Sequence, residues 1–441
     1  MFSQFLGVST LPEGAQSFTK RFALLFTTHT FIFLFTNTFM ILYAIDLVGI
    51  AQAGLLTSVF VLTQGVADYP LGVISDSLGQ RYVIIASWVA LFVGNMLLVV
   101  ATDFWGLVPF FVLFGLNRAF FSGAYETWIS NNYRLLVQES DPRRKIFSFM
   151  HSRSQTMARS ISVVAFILGG AIASTYSRQT AFIVQAILGI LFSVLVYRYM
   201  KDIPHERSAD LDLNFARKFV RIGSQGISFL FSSKGVFFLL LGFVFIQSTW
   251  TIWSSLILFV MYFGYTGTDA LAGILRTIIF VVGIPINLLA SELSRKIEST
   301  RRMPILFVLQ AILFFGGFAA ITAIVPLTDE FTLIGVILVI VWFNIISILG
   351  NLGQILLQRL LIEVVPDQIR NSVYSLVPTL VSVVSIPFLA LVGYVIEEVS
   401  FSLGIVVNGV LAFASGVFFF FGLRAMRQKL ETEKKDLLVE I

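Results

Sequence analysis

The chain of 441 residues contains no cysteine and only three histidines. Without cysteine there is no disulfide and no thiolate metal site, and the histidines lie too far apart in sequence to form a paired-histidine metal motif. The sequence also lacks the phosphate-binding loop, ending in Gly-Lys-Ser or Gly-Lys-Thr, that ATP-driven pumps carry. These absences argue against an enzyme, a metal site and a bound cofactor.

Charged residues are scarce as well, at 12% of the chain, whereas a soluble domain has about a quarter. Hydrophobic residues make up 57% of the chain, and the mean hydropathy is +0.89. The 46 phenylalanines and 6 tryptophans suit a surface in contact with lipid. The sequence therefore predicts an all-α polytopic membrane protein. Its pI of about 9.4 reflects orientation in the membrane rather than nucleic-acid binding.

A helix needs about 20 apolar residues to cross a bilayer, and the sequence contains twelve such runs. The first run is too long for the apolar region of a cleaved signal peptide, which has about 7–15 residues, so we expect a retained helix. The predicted spans one to twelve cover residues 22–45, 50–75, 83–101, 105–131, 147–174, 179–200, 235–262, 270–292, 304–325, 332–360, 371–396 and 402–423.

The turns between the predicted spans carry charge in an alternating pattern. One set of turns contains a single basic residue, Arg178, and the other set contains many. The positive-inside rule therefore places the second set, together with both termini, in the cytoplasm. The compact form without large loops favours a prokaryotic cytoplasmic membrane. The sparsely basic turns lie around Asp46, Asp103, Arg178, Asp269, Asp329 and Glu397.

The longest polar interval divides the chain into two related halves. Its apolar and basic residues, such as Phe215 and Arg217, fit either an amphipathic segment at the cytoplasmic surface or a solvated linker. The motif Glu-x-x-Pro precedes span five and recurs before span eleven, which indicates diverged repeats. The predicted domains are two six-helix bundles, 1–200 and 235–424, the central cytoplasmic loop 201–234 and a cytoplasmic tail, 425–441.

The turn after span two reads Gly72-Val-Ile-Ser-Asp76-Ser-Leu-Gly79-Gln-Arg81. Asp76 can accept hydrogen bonds from the first amides of the next helix, Gly79 can take a positive φ, and Arg81 can neutralise a neighbouring carboxylate. This pattern resembles the loop signature between the second and third helices of the major facilitator superfamily. The resemblance implies a transporter fold in which spans one, four, seven and ten line a central path. It also implies a gating role for these four residues.

Several ionisable residues fall inside the predicted spans, where each costs roughly 2.5–3.5 kcal/mol on insertion scales. Arg118 and Arg159 fall near the middle of spans four and five, and Arg118 followed by a glycine resembles the fourth-helix arginine signature of the superfamily. A pair between Glu126 and Arg153 is one interpretation, and structural ion pairing within the bundle is another. The candidates for proton coupling, in order, are Glu126, Asp68 and His29.

Polar side chains form stripes on the spans that the resemblance assigns to the central path. Those on span ten fall within an arc of about 80° at 100° per residue. Single stripes can merely hold helices together, but four stripes on the expected spans favour a substrate cavity. The predicted substrate-binding residues are Arg118, Tyr125, Arg159, Gln247, Trp250, Asn344, Asn351 and Gln354.

These features predict a secondary active transporter that moves a small solute by alternating access with proton coupling. The excess of intramembrane arginines, which include Arg276, favours a small organic anion or polar metabolite. Arg276 can instead form a salt bridge with Asp269. One alternative function is a proton-coupled multidrug efflux antiporter, and a second is a non-transporting membrane sensor on the same fold. The expected partners are the solute, protons and the lipid bilayer, and we expect a monomer.

Overall fold

The computed structural model describes residues 1–137, 141, 144–201, 224, 227–297, 302–366 and 370–439, and within these ranges it contains helices and no strand. Eleven helical segments are long and apolar enough to cross a membrane. The chain is therefore an integral membrane protein. The helices are α1 (Phe2–Phe5), α2 (Glu13–Leu34), α3 (Met40–Leu78), α4 (Gln80–Val100), α5 (Phe104–Val137), α6 (Lys145–Thr175), α7 (Arg178–Tyr199), α8 (Lys234–Thr266), α9 (Asp269–Lys296), α10 (Met303–Ile324), α11 (Leu333–Val364), α12 (Arg370–Glu398) and α13 (Phe401–Val439).

The predicted first span, 22–45, is not one continuous helix. Helix α2 ends at Leu34, residues 35–39 form turns, and α3 then starts at Met40 and contains Gly49 at φ 79°. The early turns of α2 are also polar and charged, and α2 is not among the eleven apolar segments. The number of twelve spans therefore stays a prediction. Each of the other predicted spans falls on one helix, although α3 begins well before span two and α13 continues well beyond span twelve.

The break at residues 35–39 is supported by a buried glutamine on α7. Gln185 donates from Nε2 to the carbonyl oxygen of Ile32, at 2.8 Å, and so satisfies one of the acceptors that a helix end leaves open. Its Oε1 accepts from Thr36 Oγ1 at 2.9 Å and from Asn95 Nδ2 at 3.0 Å. The helix can therefore stop inside the protein, because its free backbone groups find side-chain partners.

The turn between α5 and α6 is closed by Asp141. Its Oδ2 accepts from the Tyr133 hydroxyl at 3.0 Å and from the backbone N–H of Phe147 at 2.9 Å. Burial raises the pKa of the Tyr133 phenol well above its ordinary value, and the hydrogen bond to Asp141 raises it further. Tyr133 therefore remains a protonated donor at physiological pH.

Close backbone contacts divide the chain into two compact units. These units resemble the predicted halves of the chain, but two short segments at the starts of helical spans are each grouped with the other half. The predicted domain boundaries stay predictions. Unit 1 contains Met1–Val48, Val59–Leu211 and Gly267–Thr277, and unit 2 contains Gly49–Ser58, Asp212–Thr266 and Ile278–Ile441.

Some of the sequence predictions lie outside the described residues. Nearly all of the central loop 201–234 does, including the predicted amphipathic segment. The side chains of the gate residue Asp76, of the proton-coupling candidate Glu126 and of the tail from residue 429 onward also lie outside the described residues, and so does the environment of Gly72.

Candidate functional site

Arg118 is the central charged residue of unit 1. It lies in the middle of α5, where its guanidinium stands 4.8 Å from the centre of the Phe33 ring and interacts electrostatically with the Asp68 carboxylate of α3. The side chain lies deep among protein atoms and nevertheless keeps an exposed surface. An arginine so placed faces a hydrated cleft rather than lipid, because hydrocarbon would leave its donors unsatisfied.

A stripe of polar residues on α6 forms a second open surface of unit 1. Ser152, Thr156, Arg159 and Ser160 are exposed and fall within about 100° of the helix circumference. The hydroxyls of Thr156 and Ser160 donate to the carbonyl oxygens four residues earlier, each at 3.0 Å. Arg159 carries the charge of this stripe. Because its guanidinium lies near the middle of the span, the stripe requires water beside it rather than lipid.

His29 and Tyr125 are held in a cluster of aromatic rings. The His29 ring stacks on Phe121 with 3.4 Å between ring centres, and Trp88 meets it edge-on at 5.3 Å. Tyr125 is fully buried, and its hydroxyl donates to the carbonyl oxygen of Phe22 at 3.2 Å. In the part of the chain that the structure describes, His29 Nδ1 has no hydrogen-bond partner. Tyr125 thus packs within the ring cluster, and its role in substrate binding stays a prediction, while His29 keeps an open hydrogen-bonding position at Nδ1 among the groups described.

Arg153 is the expected partner of Glu126. Its described contacts are aromatic rings rather than an acid. Its guanidinium lies 5.0 Å from the ring centre of Phe149 and 5.3 Å from that of Phe5. The side chain of Glu126 lies outside the described residues, so their pairing stays a prediction.

The polar residues predicted on span ten lie on α11 in unit 2. Asn344 is 3% exposed and donates to the Ile340 carbonyl oxygen at 2.9 Å, while its Oδ1 has no partner among the residues described. Two turns further on, Asn351 donates from Nδ2 to Oδ1 of Asn287 on α9. Gln354 is half-buried on the same helix. The amide pair therefore brings α9 into the predicted polar stripe.

The predicted residues of span seven lie beside two distorted helical turns of unit 2. Helix α8 becomes π-helical at Trp253–Ile257, and α10 does so at Ala311–Phe315. The Trp250 ring lies 5.5 Å from Phe314, measured between ring centres. Gln247, one turn earlier on α8, is half-buried. Single π-helical turns of this kind occur frequently at functional sites.

The described part of the gate motif behaves only partly as expected. Gly79 takes φ 96° just before α4, which confirms the expected positive φ. Arg81 donates to the Tyr82 hydroxyl at 2.8 Å and to the Tyr197 carbonyl oxygen at 3.4 Å, and it lies over both rings. Its described contacts are thus tyrosines, whereas the sequence predicted a carboxylate.

A sequence model of the Major Facilitator Superfamily matches residues 23–352, which is well over half of the chain. The chain belongs to the major facilitator superfamily. An uncharacterized MFS-type transporter of Methanocaldococcus jannaschii is 23% identical over 159 residues, a match that covers 36% of this chain and 39% of the relative. The match therefore spans about two fifths of the relative's length.

Solved structures of the superfamily share the fold of this member. The nucleoside transporter NupG superposes with a TM-score of 0.65 at 14% identity, over 93% of this chain and 98% of that one. The POT family transporter PepTSo gives 0.68 at 11% identity, over 93% and 98%. A D-xylose-proton symporter gives 0.64 at 14% identity, over 91% and 97%. At these identities the likeness establishes the fold alone.

Sequence reasoning missed one charged cluster of this superfamily member. Arg178 binds Asp269 with two hydrogen bonds and also donates to Asp46. Arg276, expected either in the path or paired with Asp269, donates instead to Asn37 and Thr38. The signal was present in the sequence, because Arg178 is the single basic residue of the sparsely basic turns and both aspartates belong to that set.

Proposed function

We propose that this superfamily member is a secondary active transporter that moves a small organic anion or polar metabolite by alternating access, coupled to protons. We place it in the cytoplasmic membrane of a prokaryote, with both termini in the cytoplasm. The observation that carries the proposal is Arg118, a guanidinium deep inside unit 1 that is exposed, lies over Phe33 and interacts with Asp68.

Two arginines supply the preference for an anion. Arg118 on α5 and Arg159 on the open stripe of α6 are both exposed within membrane spans. A guanidinium binds a carboxylate or phosphate with two parallel hydrogen bonds, and its field is screened less in a narrow, protein-lined space than in bulk water. Solutes that carry one negative group are therefore favoured over lipophilic cations.

Proton coupling is supported by the closeness of Asp68 to Arg118. An anionic solute that binds Arg118 competes with Asp68 for the same guanidinium. Proton uptake by the displaced carboxylate would then link solute movement to proton movement. His29, whose Nδ1 is open among the groups described, and Glu126 are further candidates for proton transfer.

Unit 2 offers proposed solute contacts of its own. Asn344, Asn351 and Gln354 on α11 offer amide groups that can donate to and accept from hydroxyl or amide groups of a solute. Gln247 and Trp250 on α8 add an amide and a ring. Aromatic and amide groups of this kind orient a bound solute.

A thermal-shift screen of the purified protein tests the proposal. The panel contains anionic metabolites, neutral sugars and lipophilic cations. A solute at ten times its Kd adds about 1.4 kcal/mol to the native state. We expect stabilisation by an anion that Arg118→Ala abolishes and that Arg153→Ala, a matched arginine packed on rings, leaves intact. Stabilisation by lipophilic cations alone would contradict the anion site and favour an efflux antiporter.

A further inference from the structure

The first turns of α9, residues Gly267–Thr277, are grouped with helices α2, α6 and α7 in unit 1, while the rest of α9 from Ile278 onward belongs to unit 2. A single helix is thus divided between two compact units. Three kinds of contact inside unit 1 hold this segment: an ion cluster, the hydrogen bonds of an arginine, and close backbone packing.

The first contact is an ion cluster at the start of α7. Arg178 donates from Nε to Asp269 Oδ2 at 2.8 Å and from Nη2 to Oδ1 at 3.0 Å, so the aspartate is bound at both oxygens. Its Nη1 donates to Asp46. The side chains of Arg178 and Asp269 are 11% and 8% exposed, and that of Asp46 is 64% exposed. One side of the cluster is therefore dry and the other borders water.

The second contact lies two turns further along α9, at the break between α2 and α3. Arg276 donates from Nη1 to Thr38 Oγ1 at 3.1 Å and from Nη2 to Asn37 Oδ1 at 3.0 Å. The guanidinium carbon lies 3.7 Å from the centre of the Phe166 ring. Arg276 is therefore engaged by neutral side chains of unit 1.

The third contact is direct backbone packing against α6. A Cβ on Gly170 would lie 2.5 Å from the carbonyl oxygen of Asp269, and one on Gly273 would lie 2.5 Å from that of Phe166. Real Cβ atoms do not approach oxygen so closely, so only glycine fits at either position. The hydroxyl of Ser174 accepts from the N–H of Ala270 at 2.9 Å and caps the start of α9.

We propose that residues 267–277 form a latch that fastens to α2, α6 and α7 and is released from them in each transport cycle, with Arg178 as its fastening residue. The proposal rests on the proposed function, because alternating access requires one end of the molecule to close and open. Polar contacts suit a reversible latch, since water at the open edge near Asp46 can solvate the separated charges. Pro285, inside α9, removes a backbone hydrogen bond and provides a place for the helix to bend.

The absence of native cysteine makes the latch accessible to cross-linking. Ser174→Cys and Ala270→Cys place thiols on two residues that are in contact, since the Ala270 backbone N–H donates to the Ser174 hydroxyl. Copper phenanthroline should cross-link this double variant, and the product is read by intact mass without reductant. We expect Arg178→Gln to slow the cross-linking about threefold or more, because it shifts the population toward the released state.

Three further variants keep the result interpretable. Asp269→Asn should slow cross-linking like Arg178→Gln, and Arg178→Lys should give an intermediate rate because lysine keeps the charge but loses the two-point geometry. Arg198→Gln, at the other end of α7, should leave the rate unchanged. Equal cross-linking rates in the Arg178→Gln variant and its parent would overturn the latch.

The assay needs no solute, so it separates the latch from the proposed function. Slower cross-linking together with a solute screen that finds no anion would reject the anion transporter and retain the latch. A positive screen with unchanged cross-linking would reject the latch and retain the transporter.

Discussion

Two short segments, 267–277 in unit 1 and 49–58 in unit 2, each begin a long helical span. Each is grouped with the half of the chain to which it does not belong by sequence. They are held by different chemistry. Segment 267–277 is fastened by the ion cluster of Arg178 and by the hydrogen bonds of Arg276. Segment 49–58 is held mainly by backbone packing.

Segment 49–58 contacts α12. A Cβ on Gly54 would lie 2.6 Å from the carbonyl oxygen of Leu389. The hydroxyl of Ser58 lies 3.2 Å from the Ile386 carbonyl oxygen, and the Glu397 carboxylate accepts from the N–H of Ala51 at 2.6 Å. One carboxylate therefore replaces the three-residue ion cluster of the other segment.

The difference between the segments has a consequence for how each resists separation. A gap of about 0.5–1 Å between a glycine and the carbonyl oxygen it packs on removes roughly a quarter to a half of their van der Waals attraction. Ion pairs at an aqueous edge are replaced by hydration at little net cost. We therefore expect segment 267–277 to release more easily than segment 49–58, although both glycine contacts have nearly the same geometry.

The largest effect is expected from Gly54→Ala. The added Cβ cannot be accommodated beside Leu389, and we expect the free energy of unfolding to fall by about 2 kcal/mol, within the usual range for overpacking. Chemical denaturation in detergent measures it. The control is Gly316→Ala, which would meet nothing within 4 Å and should be neutral or stabilising. Equal stability of the two variants would show that segment 49–58 is not tightly packed.

Arg178→Gln should follow, with a loss of about 1–2 kcal/mol. Breaking a static buried ion pair costs about 3–5 kcal/mol, but a latch that opens lets water reach Asp269 and limits the loss. Asp46→Asn, at the exposed side of the cluster, should cost less than about 1 kcal/mol. A loss of 3 kcal/mol or more for Arg178→Gln would indicate a permanent structural pair.

Gly273→Ala is the matched counterpart of Gly54→Ala, because both added Cβ atoms would approach a carbonyl oxygen at nearly the same distance. We expect a smaller loss of unfolding free energy, about 1 kcal/mol, since the segment relieves the overlap by releasing. The same variant should slow the cross-linking of Ser174→Cys with Ala270→Cys. If Gly273→Ala destabilises as strongly as Gly54→Ala, the two segments are equally rigid.

Glu397→Gln should have the smallest effect, about 0.5 kcal/mol. The amide oxygen can still accept from Ala51, so the substitution removes only the interaction of the negative charge with the start of the helix. Thermal unfolding at low and high salt checks this, because screening should abolish the difference. A salt-independent loss would assign Glu397 to packing.

The sequence predicted those features that depend on local composition. The apolar runs located the spans, and the turn chemistry before α4 required the positive φ that Gly79 adopts. The interior position of Arg118 also followed from its place in an apolar run. Such features need no knowledge of distant residues, because lipid and backbone geometry impose them directly.

The features that sequence reasoning missed depend on distant residues. Nothing within residues 35–39 is a proline or glycine, and the helix breaks there with the support of Gln185, which lies about 150 positions further along the chain. Likewise, the partner of Asp269 is Arg178, on a different helix, rather than Arg276 on its own helix. The charges of these turns were visible in the sequence, but which of them pair was not.

Side-resolved labelling of a cysteine on the polar stripe of α6 tests the central claim, that a hydrated path runs along this face within the membrane. In the cysteine-free chain, Ser160→Cys marks the stripe, and Leu168→Cys, 45% exposed on an apolar part of α6, marks the lipid-facing surface. We predict that a membrane-impermeant maleimide labels Ser160→Cys in inverted vesicles and leaves Leu168→Cys unmodified. A Ser160→Cys variant that reacts from neither side would contradict the hydrated path and, with it, the proposed transport function.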